Sequence, residues 1–163
     1  MALLTAVGLI LAWLEHLLLP SIAVPGVKIG LANLATLMAM YLLSDKEALL
    51  VSSARVLLAG FLFGSLASLA DAMSGAVVSW LGMCLLKKAR RLSVIGVSAG
   101  GGCLHNVAQL AVAALAVKGS GISAYLPVLI IAGTLTGCVN GVVAQIVLAK
   151  LPESADPTKK SLK

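Results

Sequence analysis

The chain has 163 residues, 60% of them hydrophobic and 11% charged, with mean hydropathy +1.07 and a formal net charge of +6. A soluble domain of this size cannot hide so much apolar surface, so lipid is the expected solvent. Its long Leu/Ala/Val runs lack the period-two alternation of a barrel, which leaves helices as the structures that satisfy every backbone group in hydrocarbon.

A span takes about 20 residues, so the expected fold is an all-α integral membrane protein, a bundle of six transmembrane helices over 1–150 with a polar tail over 151–163. Helix 1 runs from about Ala2 to Leu19 and stops at Pro20. No basic stretch precedes it and no small-residue cleavage site separates it from Trp13, so it is expected to be retained and not removed as a signal. The stretch from Pro20 through Pro25 and Gly26 to Lys28 cannot be regular helix. Helix 2 is expected from about Ile29 to Leu43, and Ser44-x-x-Glu47 then forms a capping box that starts helix 3, ending near Phe63. Gly64 and Ser65 break the chain before helix 4, which ends near Leu86. A basic loop, Lys87 to Arg91, leads to helix 5 at about Ser93 to Val117. Helix 6 follows Lys118-Gly119-Ser120-Gly121 and runs from about Ser123 to Ala149.

The cations set the expected orientation. Lys46, Lys87, Lys88, Arg90, Arg91, Lys150, Lys159, Lys160 and Lys163 fall on one side of the six-helix arrangement, against Lys28 and Lys118 on the other. The positive-inside rule then makes this a multi-pass cell-membrane protein with both termini cytoplasmic, and it accounts for the charge without nucleic acid.

Helix contact in lipid depends on small residues, and they recur at four-residue spacing in Ala2/Ala6, Gly8/Ala12, Ala35/Ala39, Gly60/Gly64, Gly96/Gly100 and Gly133/Gly137/Gly141. Gly100-Gly101-Gly102 is expected either to loosen helix 5 or to admit a neighbouring backbone or ligand. Cys84, Cys103 and Cys138 lie scattered in apolar runs without metal-ligand spacing and read as small core residues.

Charged groups at mid-helix cost at least about 2.5–3.5 kcal/mol in hydrocarbon, so those retained need a partner or a task. Arg55 lies roughly 13 Å into the membrane, counted from Lys46 at the helical rise. His105, Asn106 and Asn140 fall at similar depth, and Gln109 shares a face with His105. Glu15, His16, Asn33, Asp71 and Lys28 lie farther out. Two readings stand side by side. In one, Arg55 pairs with Glu15 or Asp71 and the amides are interhelical hydrogen bonds worth about 0.6 kcal/mol each. In the other, Lys28, Asn33, Arg55, His105, Asn106, Gln109, Glu15, His16 and Asn140 converge on an outward-facing pocket suited to an anionic or carbonyl-rich small molecule. No aspartate-rich run or nucleophile motif is present, so neither catalysis, a metal nor a cofactor is expected.

Pro25-Gly26-Val27-Lys28-Ile29-Gly30-Leu31-Ala32-Asn33, with Arg55 followed by Gly60-x-x-x-Gly64 and His105-Asn106-x-x-Gln109, resembles the Gx transporter family, also catalogued as heptaprenyl diphosphate synthase component I. The resemblance covers about residues 3 to 150. That family is similar to the substrate-binding S components of energy-coupling-factor (ECF) transporters. The resemblance implies binding of a vitamin-, quinone- or isoprenoid-like solute from outside, with an ECF transmembrane coupling subunit and ATPase subunits as partners. It also implies docking on the coupling subunit through Ala2 and Ala6, with the Pro20 to Lys28 loop gating the solute. The alternative is the membrane subunit of a polyprenyl diphosphate synthase.

Overall fold

The computed structural model describes residues 1–18, 30–89, 91–117 and 124–151. Among them are six helices and no strand: α1 (Ala2–Leu18), α2 (Asn33–Leu42), α3 (Asp45–Phe63), α4 (Leu66–Lys88), α5 (Val94–Val117) and α6 (Leu126–Lys150). The whole Pro20 to Lys28 loop, Lys118 and the polar tail beyond Leu151 lie outside the described residues.

Local chemistry sets the helix starts. The Ser44 side chain caps α3 by accepting the Glu47 N–H at 3.2 Å, but the Glu47 carboxylate accepts from the Ser44 hydroxyl at 2.7 Å rather than from the Ser44 backbone N–H, so the expected capping box is half made. Asp45 and Glu47 also place negative charge at that helix's positive end. A complete capping box, which the sequence pattern did not flag, opens α4. Ser65 accepts from the Ser68 N–H at 3.2 Å while Ser68 Oγ accepts from the Ser65 N–H at 2.7 Å. Pro127 sits in the first turn of α6, where its missing N–H leaves no helical bond unmade.

Helices α2, α3, α4, α5 and α6 pack in a closed ring, since α2 touches α6 as well as α3, and α1 lies across α2 and α3. The tightest seam joins α5 and α6. A Cβ placed on Gly102 would come within 2.2 Å of the Gly133 carbonyl oxygen, and one on Gly137 within 2.5 Å of the Ser98 carbonyl oxygen. The glycine run of α5 therefore admits a neighbouring backbone, and the Gly133/Gly137/Gly141 spacing is an internal seam.

Helix α2 departs most from expectation. It has 10 residues in place of the longer Ile29 to Leu43 stretch, and residues Ala35 to Met40 are all buried. At 1.5 Å per residue it covers roughly 15 Å, half of a hydrocarbon core. Gly30, with φ of +70°, turns the chain just before it in a conformation that L side chains rarely adopt. Below this point the core is apolar, with Leu37, Met40, Val51, Met83 and Val97 packed together.

At the same end Lys87 ties three elements. Its Nζ donates to the Met40 carbonyl at 2.7 Å and to Asp45 Oδ1 at 2.8 Å, and lies 5.2 Å from the Tyr41 ring centre. Trp80 Nε1 donates to the Asp45 carbonyl at 2.7 Å. Lys87, expected to open a basic loop, lies in the last turn of α4 and clamps the α2–α3 turn.

By length and apolarity two stretches, Ser68–Lys88 and Leu126–Lys150, suffice to cross a membrane. Helices α1 and α2, with 17 and 10 residues, fall short of that length.

Candidate functional site

The site is built around the backbone of one residue, Gly30. The Gly30 N–H donates to Glu15 Oε1 of α1 at 2.6 Å, and its carbonyl accepts from Asn140 Nδ2 of α6 at 2.8 Å. The same carbonyl accepts the Asn33 N–H at 2.9 Å, closing the turn into α2. Glu15 and Asn140 are buried polar groups whose requirement for partners is met by backbone, the usual solution in a dry interior.

A small cavity adjoins this residue. Asn33 and Gly30 form one wall, Ser79 of α4 another, and His105 and Asn106 of α5 with Asn140 of α6 the rest. It offers about 10 Å³ to the centre of a water molecule, which is room for one water. Counted along the helical rise from Ser44, Val94 and Lys150, residues Arg55, His105 and Asn140 all stand roughly 15–17 Å up their helices, so the polar groups form one layer at mid-height.

Glycines shape that layer. A Cβ on Gly75 of α4 would come within 2.8 Å of His105 Cε1 and 2.9 Å of Gln109 Cγ, so the α4 backbone lies directly on these two side chains. Asn106 Nδ2 donates to the Leu129 carbonyl at 3.0 Å, holding α5 to the start of α6. Gln109 and Ser79 are 4% and 1% exposed, yet the Gln109 amide and the Ser79 hydroxyl make no hydrogen bond among the described residues.

Arg55 lies on the α1 side of Gly30, away from the cavity lining. Its Cδ would be 2.7 Å from a Cβ on Gly8, so this glycine of α1 makes room for the arginine stem. Of the two acids weighed for Arg55, Glu15 is the one that acts on it electrostatically. The ion pair in hydrogen-bond contact among the described residues joins Lys87 and Asp45.

Of the residues singled out from sequence, Asn33, His105, Asn106 and Asn140 line the cavity. Glu15 reaches it through Gly30, and Gln109 lies one turn beyond His105. His16 is on the outer surface, its ring centre 5.5 Å from that of Phe63. Ala2 and Ala6 are exposed on α1. Lys28 lies outside the described residues. Ser79, Ser98 and Thr136 also line the cavity, and no spacing distinguished them from ordinary helix serines and threonines. Gly30 did carry a signal, the second glycine of the Pro-Gly-Val-Lys-Ile-Gly run. Among the described residues no three His, Cys, Asp or Glu side chains are grouped to hold a metal.

Residues 4–147 match the family described as heptaprenyl diphosphate synthase component I. The chain belongs to this family. No curated protein and no solved structure matches it. In this component I chain the matched span takes in the whole polar layer, from Glu15 to Asn140, so the site belongs to the part that the family shares. The match supports the family name drawn from the sequence and carries nothing about energy-coupling-factor S components.

Proposed function

We propose that this component I chain is a multi-pass membrane subunit, both ends cytoplasmic, that binds a small anionic or carbonyl-rich solute at mid-membrane and works with partner subunits. The observation that carries this reading is the half-length α2. Its N-terminus, with Gly30 and Asn33, ends at the height of His105, Asn106 and Asn140 and beside a cavity. Irregular backbone at membrane depth is tolerated where it is buried in protein or lines a cavity, and broken helices of this kind form solute sites in transporters. The positive end of α2 also faces the site and favours an anion.

Lipid as solvent is supported by the outer surface. Leu3, Phe61, Leu66 and Leu115 are 76%, 81%, 85% and 80% exposed, and Ile131, Leu135 and Val139 run along α6 at about 60%. Apolar side chains spread over several helices in this way are costly in water. The cavity holds about one water, so a larger solute enters only when the surrounding helices part. The resemblance to S components supplies the assembly for this reading, a coupling subunit and ATPases that reorient the loaded protein.

The test is native mass spectrometry of the protein purified in nanodiscs. A small molecule should co-purify with the parent and be lost from His105→Ala and Asn140→Leu, and an unchanged mass in both variants overturns the proposal. The family match favours a second reading, a non-catalytic membrane subunit of a polyprenyl diphosphate synthase. Chain elongation by a candidate catalytic partner, assayed with and without this chain, should then change in rate or product length. No change removes that reading.

A further inference from the structure

The α1–α3 seam holds a guanidinium whose donors are not used. Arg55 is 6% exposed, and its buried Nε and Nη2 have no hydrogen-bond acceptor among the described residues. These two N–H groups lie on the same edge of the planar guanidinium and point in parallel, the arrangement that takes both oxygens of a carboxylate or two oxygens of a phosphate. Glu15 does not fill the edge: its Oε1 receives the Gly30 N–H at 2.6 Å, and neither of its oxygens is within hydrogen-bond reach of Arg55 Nε or Nη2. Ser52, one turn earlier on α3, is 1% exposed and its hydroxyl is also unpartnered, as is that of Thr36 on α2. A buried cation with two idle donors costs several kcal/mol, more than a protein retains for packing alone.

We infer that the Nε/Nη2 edge of Arg55 is the receptor for an oxyanion, a carboxylate or phosphate group, on a ligand that enters at the α1–α3 seam. This deepens the proposed function, on which it rests, by fixing the chemical class of the ligand and placing its charged end apart from the His105–Asn140 cavity. Gly8 serves the same end. Any larger residue there would push the arginine stem, since a Cβ already meets Arg55 Cδ at 2.7 Å. Glu15 acts as a counter-charge that limits the affinity and keeps the empty site tolerable.

The test uses the full chain in phosphatidylcholine nanodiscs, titrated by calorimetry with phenylacetate, inorganic phosphate and the neutral isostere phenylacetamide. The acids should bind and the amide should not. Arg55→Lys keeps the charge but loses the two-donor edge, so affinity for phenylacetate should fall about tenfold or more. Glu15→Gln keeps an oxygen for the Gly30 N–H while removing the competing charge, so affinity should rise; this variant carries the test alone if Arg55→Lys does not fold. In a parallel set with phosphatidylglycerol, loss of phenylacetate binding identifies the oxyanion as a lipid headgroup, and unchanged binding identifies it as a free solute. Equal binding of acid and amide, or unchanged affinity in both variants, overturns the assignment. If the acids fail to bind while a co-purifying solute still depends on Asn140, the oxyanion assignment falls and the solute-binding reading stands. If neither occurs, both fall.

Discussion

At the scale of single residues, the polar layer turns on how Gly30 is held. Its φ of +70° is open to glycine and costs an L-residue about 1–2 kcal/mol, so Gly30→Ala should lower stability by that amount in detergent-solubilised unfolding. The two side-chain partners of this residue should not be equivalent. Asn140→Leu removes one donor from the Gly30 carbonyl, but the Asn33 N–H still occupies it at 2.9 Å, so the expected loss is about 1 kcal/mol. Glu15→Ala leaves the Gly30 N–H without its acceptor and removes the negative charge that acts on Arg55, and about 1–3 kcal/mol should be lost. Comparing the unfolding midpoints of the two variants checks the order. The prominence of Glu15, Arg55, His105 and Asn140 was legible in the sequence because charges and amides in apolar runs demand an explanation. Which of them meet was not, since burial distributes hydrogen bonds through backbone groups, such as those of Gly30, that every residue type carries.

At the scale of elements, five of the six helices lie within about three residues of the boundaries that caps, prolines and glycines suggest. Those signals act locally and therefore survive into the fold. Helix α2 is the exception, because its expected start rested on apolar composition, and a left-handed glycine overrides composition. The seams are likewise decided between elements. Gly100 and Gly102 are two residues apart on α5 and read alike in sequence, yet they face different neighbours. A Cβ on Gly100 meets only the tip of Leu86, at 2.3 Å from Cδ1, whereas one on Gly102 meets the Gly133 backbone. Gly100→Ala should therefore cost less than about 1 kcal/mol as Leu86 rotates away. Gly102→Ala should cost about 1–3 kcal/mol or more because two helices must separate. Thermal unfolding of the pair in one detergent distinguishes them.

At the scale of the whole molecule, the chain divides into an apolar end clamped by Lys87 and a polar layer at mid-height. Lys87→Met should loosen the α2–α3 turn from α4 at a cost of about 1 kcal/mol, since its side chain and that of Asp45 remain 25% and 34% exposed. The effect should appear as faster hydrogen exchange at Tyr41 to Asp45, with little change near Gly30. The proposed orientation is checked in intact cells. A cysteine introduced at Lys150 should be blocked by membrane-permeant reagents and spared by impermeant ones, and labelling from outside would reverse the topology.

The sequence by itself determined the all-helical class, the six helices found among the described residues and most of their ends. These depend on hydropathy, caps and spacing, all of them properties of neighbours along the chain. Only the tertiary structure decided that α2 stops at half a span, that Gly30 joins α1 to α6, and that Arg55 lies apart from the His105–Asn140 cavity. Those facts depend on which backbones approach one another closely, and that is set by packing between segments far apart in sequence.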